Sequence, residues 1–276
     1  MYSTWFYYKP ARLLFDAGEG VAAALENFIF GIENIFISHG HHDHIGGLPG
    51  IIRARSSARG DKQKPLTVHY PFDDNLVDIL REYIDKVSGR LEYQLQWTPI
   101  KPGDEIVLRD GQHSTLIKAF ATPHSKRSTS LGYKLVEKRR RLRHEFEGTG
   151  EQEIAQIVKQ QGREAVTEEY EQSLLIYGGD SMPLPLDEVR NCEVLMHDST
   201  FLAEDDRGNE THASMEEAIK LAADAGVSRL LLIHVSSRYT KSQAVKLARN
   251  LAQKYGMTDR VHMILYRSIF PLHERK

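Results

Sequence analysis

The sequence predicts an α/β (α+β) fold in which short buried strands alternate with helices and the chemistry lies along one rim. Three observations carry this reading. Short, β-branched apolar runs such as Ile35-Phe36-Ile37 and Leu230-Leu231-Leu232-Ile233 recur between segments whose apolar residues repeat at helical spacing. Runs of this kind lead into His39, His124, Asp180 and His234, each a good metal ligand. The first run also opens onto Ser38-His39-Gly40-His41-His42-Asp43-His44, which crowds His39, His41, Asp43 and His44 into one short stretch.

From the start of the chain, Thr4 to Tyr8 and Ala11 to Phe15 read as two strands around Lys9-Pro10, and Asp16 to Gly20 as a tight turn before a short helix near Val21 to Phe28. A chain that opens almost on a strand leads us to expect that an edge strand is missing from its start. Leu48 to Ser57 reads as a helix and Leu66 to Tyr70 as a strand. Asp74 to Tyr83 carries Leu76, Ile79, Leu80 and Tyr83 at helical spacing, while Leu91, Tyr93, Leu95 and Trp97 alternate as a half-buried strand.

Ser114 to Ala121 and Ser130 to Val136 are further strands, the latter running into the basic residues Lys134, Lys138, Arg139, Arg140, Arg141, Arg143 and His144. The charged stretch 137–172, with one helix from Glu151 to Gln161 closed by Gly162, reads as an insertion on a single domain spanning 1–276. Ser173 to Tyr177, Glu193 to Met196, Arg229 to Ile233 and Val261 to Tyr266 are strands. The helices Ser214 to Ala225 and Thr240 to Tyr255 begin at Ser214/Glu217 and Thr240/Gln243 and stop at Gly226 and Gly256.

Composition narrows the function classes. A formal net charge of −2 excludes a generally basic nucleic-acid coat, so any such contact is local. The single cysteine, Cys192, excludes an intramolecular disulfide framework and fits a reducing compartment. With no apolar run of membrane-spanning length and no signal-peptide pattern, the expectation is a cytoplasmic protein without membrane contact.

In extended chain His39 and His41 point to the same side and can grip one ion together, while Asp43 and His44, where the chain turns toward a helix, face a second. His124 and His234 complete the set, and Asp180, behind the permissive Gly178-Gly179, reaches between the two ions. Neutral imidazoles with carboxylates suit zinc or a similar divalent metal, and paired ions suit displacement at phosphorus. His69 reads as an ordinary strand residue and His42 as pointing away. His113, His144, His262 and His273 read as solvated or locally hydrogen-bonded, and His197 as at most a supporting residue.

These motifs resemble the metallo-β-lactamase superfamily and, within it, ribonuclease Z, the endonuclease that matures tRNA 3′ ends. Ser38 to His44 with Gly47-Leu48-Pro49-Gly50 resembles that family's opening motif. Gly179-Asp180-Ser181 resembles its G-D-T, Met196 to Phe201 its H-E-A-T-F, Thr211 to Ser214 its H-S-T, and Leu232 to Tyr239 its T-H-F-S-x-R-Y. The resemblance implies an αββα sandwich of two mixed sheets packed face to face and flanked by helices. It implies two Zn2+ per subunit (Mn2+ or another divalent metal as the alternative), a precursor tRNA or other RNA phosphodiester as substrate, and a homodimer.

It further implies that Asp43, His212 and Asp198 are catalytic and that Ser237, Arg238 and Tyr239 contact substrate, Arg238 offering a planar fork to a phosphate oxygen. The basic run from Lys134 to His144 is expected to hold RNA phosphates, and the apolar helix after His44 to form the dimer interface. Three departures stand out. The start lacks the family's glycine-rich first turn. Asp198 is one methylene shorter than the family's Glu, which shortens its reach to His212. The segment between Tyr133 and Leu174 replaces a long flexible arm with a short one. The alternatives are a hydrolase of the same fold acting on a small phosphodiester or (thio)ester, and a non-catalytic paralogue.

Overall fold

A computed structural model describes residues 3–57, 64–111, 114–124, 129–208, 211–265 and 268–271. The first sheet forms from β1 (Phe6–Tyr8), β2 (Leu13–Phe15), β3 (Asn34–Phe36), β4 (Leu66–Pro71) and β5 (Leu95–Ile100), in that spatial order, with β1 antiparallel and the rest parallel. The connections carry α1 (Val21–Leu25), α2 (His42–Ile45), α3 (Leu48–Ser57) and α4 (Asn75–Ser88).

The second sheet forms from β6 (Glu105–Arg109), β7 (Thr115–Ala121), β8 (Leu131–Leu142), β9 (Thr167–Tyr177), β10 (Val194–Asp198), β11 (Arg229–Ile233), β12 (Val261–Leu265) and β13 (Ser268–Pro271), adjacent in chain order. It is antiparallel from β6 to β9 and parallel from β9 to β12. Its helices are α5 (Glu151–Gln161), α6 (Leu186–Val189), α7 (Met215–Asp224) and α8 (Lys241–Lys254).

Three apolar layers make this the expected αββα sandwich. Leu13, Phe15, Phe36, Tyr133, Tyr177 and Ile233 pack between the sheets. α1, α3 and α4 cover the outer face of the first sheet through Val21, Ile51, Ile52 and Val77, and α7 and α8 cover that of the second through Ile219, Ala222, Ala248 and Leu251. The helix starts read from the sequence hold: Ser214 and Glu217 form a reciprocal capping box, as do Thr240 and Gln243.

Three readings need correction. Leu91 and Tyr93 lie before β5, where they pack on the α3 side; the Tyr93 hydroxyl bonds Ile52 O at 3.2 Å, so their alternation came from an irregular segment. The edge strand β6 was missed because its outward residues are charged or, like Val107, exposed. The segment 137–172 takes the form of a ribbon, in which β8 and β9 pair from Tyr133↔Tyr177 to Leu142↔Thr167 with α5 between the two strands.

The third correction is to the basic run. It lies along this ribbon and is largely neutralised there. Arg140 pairs with Glu164 at 3.1 Å and Glu169 at 2.8 Å, Arg141 with Glu168 at 2.8 Å, Lys134 with Glu188 at 3.1 Å, and Arg139 with Glu137. The ribbon carries these charges up to about 30 Å from its ligand-bearing end.

His69 is a core residue, as expected. It stacks on Phe36 with ring centroids 4.5 Å apart, its Nε2–H donates to Asn34 Oδ1 at 3.0 Å, and Nδ1 is buried without a hydrogen-bond partner. Burial pushes its imidazole down to about 4. Below the unfolded value of about 6.5 the unfolded chain binds a proton that the folded chain refuses, so stability falls as pH drops from about 6.5 toward 4. Between pH 7 and 5 wild type should lose roughly 2 kcal/mol more than His69→Leu in urea unfolding. Parallel pH profiles would refute this assignment.

Candidate metal centre and active site

The chain leaves β3 into the histidine-rich loop, which a carboxylate from α4 shapes. Asp74 caps α4 by accepting from Leu76 N at 3.0 Å, and its other oxygen accepts from Gly40 N at 2.6 Å. A Cβ on Gly40 would sit 2.2 Å from that carboxylate, so the spacer between His39 and His41 has to be glycine. His39 Nε2 and His41 Nδ1 then lie 2.9 Å apart, and with His124 they form a three-imidazole cluster. Asp43 and His44 sit on α2 and join His234 in a second cluster.

Asp180 reaches the second cluster directly. Its Oδ2 is 3.3 Å from His44 Nε2 and 3.4 Å from His234 Nε2, and Asp180 also groups with His39 and His44. Gly179 permits this approach: its φ is +59° and a Cβ there would come 2.9 Å from Ser38 Cβ. All seven expected ligands are thus assembled on one rim, at the ends of strands from both sheets. His44 Nε2, His234 Nε2 and Asp180 Oδ1 are buried without a hydrogen-bond partner. Buried polar atoms left open toward one another are what a bound cation would satisfy. The donor set fits divalent metal, and the site is a divalent-metal site.

The electrostatics agree. Burial alone would raise the Asp180 carboxyl, but the His234 and His44 charges hold it well below the usual range. Burial would depress His44 and His234, yet Asp180 pulls both up, with Asp16 adding to His44 and Asp43 to His234. His39 and His124, where burial dominates, are lowered and remain neutral donors.

Supporting groups set the ring tautomers. Asp16, buried at the end of β2, accepts from His44 Nδ1–H at 2.7 Å, from the Ser38 hydroxyl at 2.8 Å and from the Tyr177 hydroxyl at 2.5 Å. The Ser38 hydroxyl, donating to Asp16, is left to accept from His39 Nδ1–H at 3.0 Å. His124 Nδ1–H donates to Thr211 O at 2.8 Å. In each ring Nε2 is therefore the free donor atom. Sequence reasoning took Asp16 for a turn residue. Its signal was the same as that of the ligands, a polar residue directly after a buried strand.

Of the catalytic candidates, His212 lies with its Nδ1 2.6 Å from Asp198 Oδ2, so the shorter carboxylate does reach. Its ring stacks on His234 at 5.1 Å between centroids and is 5.0 Å from that of His124. Asp43 is half-buried beside His44 and His234. Arg238 is exposed, with its guanidinium carbon 5.2 Å from the centroid of the Phe201 ring and 5.9 Å from that of Tyr239. Ser237 is exposed, whereas the Tyr239 hydroxyl donates to Asp206 Oδ2 at 2.7 Å.

His197 is fully buried, accepting from Leu184 N at Nε2 and bonding Asp198 O through Nδ1, away from the ligands. His42 is exposed on the far side of α2, and the exposed His144 pairs with Glu147. His262 is half-buried on β12, while His113 and His273 lie outside the described residues.

Comparison with known proteins gives the same picture. A ribonuclease Z from Natronomonas pharaonis is 33% identical over 251 residues, covering 83% of this chain and 79% of that protein. The chain belongs to the ribonuclease Z family. A ribonuclease Z from Saccharolobus solfataricus is 30% identical over 91% of this chain and 88% of its own length. The family model described as Anti-Pycsar protein Apyc1 matches residues 5–171, so the chain falls within that sequence family too, and a beta-lactamase superfamily domain model matches residues 165–235. The short form of human tRNase Z superposes with a TM-score of 0.60 at 19% identity, covering 95% of this chain and 88% of that one. The metallo-β-lactamase-fold protein YhfI from Bacillus subtilis gives 0.61 at 18%, covering 94% and 86%. Like its ribonuclease Z relatives, the chain is a hydrolase of the metallo-β-lactamase fold. No helix among the described residues is long and apolar enough to cross a membrane.

Proposed function

We propose that this ribonuclease Z-family chain removes 3′ trailers from tRNA precursors by hydrolysing a phosphodiester, with two Zn2+ per subunit. The observation that supports the reading best is the His212–Asp198 pair at 2.6 Å, stacked against a metal ligand: a proton donor beside a metal rim suits expulsion of a ribose oxygen. His39, His41 and His124 would hold one ion, Asp43, His44 and His234 the other, and Asp180 both. The ions, when bound, would supply an activated water and neutralise charge on the phosphate. Asp43 orients the attacking water, His212 protonates the departing 3′ oxygen, and Asp198 fixes the far nitrogen of His212. Arg238 presents its guanidinium to a phosphate oxygen, Ser237 lies beside it, and Tyr239 holds the loop through Asp206. A cytoplasmic location goes with such a substrate.

The neutralised ribbon favours one second reading, a small phosphodiester that needs no extended cationic surface. A precursor tRNA bearing a 3′ trailer and bis-p-nitrophenyl phosphate, each with and without chelator, separate the two. Trailer release that chelator abolishes is expected. Hydrolysis of the activated ester with the precursor left intact would select the small substrate.

The proposal includes a homodimer, but not through the helix after His44. α3 buries Leu48, Ile51 and Ile52 in the chain's own core. α4 instead exposes Leu76 (46%), Ile79 (61%), Tyr83 (53%) and Val87 (55%) along one stripe of about 17 Å. Glu82 and Lys86 border it with opposite charges, which suits an antiparallel second copy. Ile79→Glu should turn a dimer into a monomer in light scattering while the fold persists. An unchanged mass would rule this face out.

A further inference from the structure

Thr200, two residues past the end of β10, has a hydroxyl shared by two neighbours. It lies 2.7 Å from Asp198 Oδ1 and 2.7 Å from His234 Nδ1, and the Thr200 N–H donates to the same Oδ1 at 2.8 Å. One hydroxyl proton cannot serve both sides. Asp198 also receives Ser181 N and His212 Nδ1 on its other oxygen, so it acts here as an acceptor throughout. The Thr200 hydroxyl therefore donates to Asp198 and accepts from His234, which puts the ring proton of His234 on Nδ1. Its Nε2 is left as a lone pair, and this is the buried atom without a hydrogen-bond partner that faces Asp180 Oδ2 at 3.4 Å. With the opposite tautomer an N–H would point at the cation.

We propose that Thr200 is a positioning residue that couples metal retention by His234 to alignment of the proton donor His212. Both rings hang on Asp198, His212 directly and His234 through the Thr200 hydroxyl. Ser38 stands in the same relation to Asp16 and His39, so the device is repeated on the other side of the site. His234 needs such a hold, because its φ of +59° is a left-handed conformation that a non-glycine residue adopts only under constraint. The backbone shares the work, since Thr200 O accepts from Ser236 N at 3.1 Å. The inference rests on the metal-centre reading above.

The test is Zn2+ retention by the full chain in competition with a chromophoric chelator, for wild type, Thr200→Val and Thr200→Ser. Thr200→Val keeps the shape and removes the hydroxyl, and Thr200→Ser keeps the hydroxyl. Thr200→Val should hold Zn2+ roughly 10–100-fold more weakly, the usual cost of losing a partner behind a metal ligand. It should also lose more turnover on RNA than on bis-p-nitrophenyl phosphate, because His212 loses alignment as well. Thr200→Ser should restore both, and the metal-free thermal midpoints of the three should agree. Wild-type Zn2+ affinity in Thr200→Val overturns the proposal, as does a Thr200→Ser variant that fails alongside it. If wild type itself retains no Zn2+, the metal-centre reading falls first, and that is visible before any substitution is compared.

Discussion

Asp180→Ala is expected to leave a folded chain with most of its divalent metal and nearly all of its turnover gone. Asp180 is the carboxylate that reaches both sides of the rim: it lies within 3.4 Å of the open nitrogens of His44 and His234 and groups with His39 on the other side. Its removal also takes away the negative charge that pulls His44 and His234 up, leaving imidazoles to face one another across the rim with less to hold a cation between them. The loss should exceed the ~100-fold that removal of an outer partner costs. Elemental analysis of purified protein, beside melting curves of metal-free wild type and variant, reads the result. Full metal content in Asp180→Ala would refute the bridging role.

His212→Ala separates proton donation from metal binding. Its ring is close to His234 and His124 but is held by Asp198, and the seven-ligand set is complete without it. The variant should keep its metal and lose roughly 10²–10⁴ in turnover on RNA, the usual worth of general acid catalysis. p-Nitrophenolate leaves without proton assistance, so hydrolysis of the activated ester should fall far less. Asp198→Asn should show a smaller loss, because the amide oxygen can still accept from His212 Nδ1–H and hold the ring in place. Equal slowing of both substrates, or loss of metal from His212→Ala, would end the general-acid assignment.

His69 and His124 were told apart by position, His69 inside a strand and His124 directly after one, and the packing agrees: His69 lies against Phe36 and Asn34, while His124 meets His39 and His41. The reach of Asp198 was undecided in the sequence, since it depends on how the loop 211–214 returns to β10. The basic run looked like a phosphate surface for the same reason. Its acidic partners Glu164, Glu168 and Glu169 follow more than twenty residues later, and only strand pairing brings them alongside.

The sequence by itself determined which donors this protein has and that they share a rim. Strand alternation and turn chemistry are short-range, and a ligand that directly follows a buried strand is carried to the strand end whatever the rest of the chain does. The tertiary structure alone decided which nitrogen of each ring faces the cation, which charges are cancelled and which apolar face stays open. Those outcomes depend on partners remote in the chain: the hydroxyl of Tyr177 meets Asp16 across 161 residues, and Thr200 meets His234 across 34. Where the proton of such a group lies is set by which acceptors surround it, and packing decides which those are.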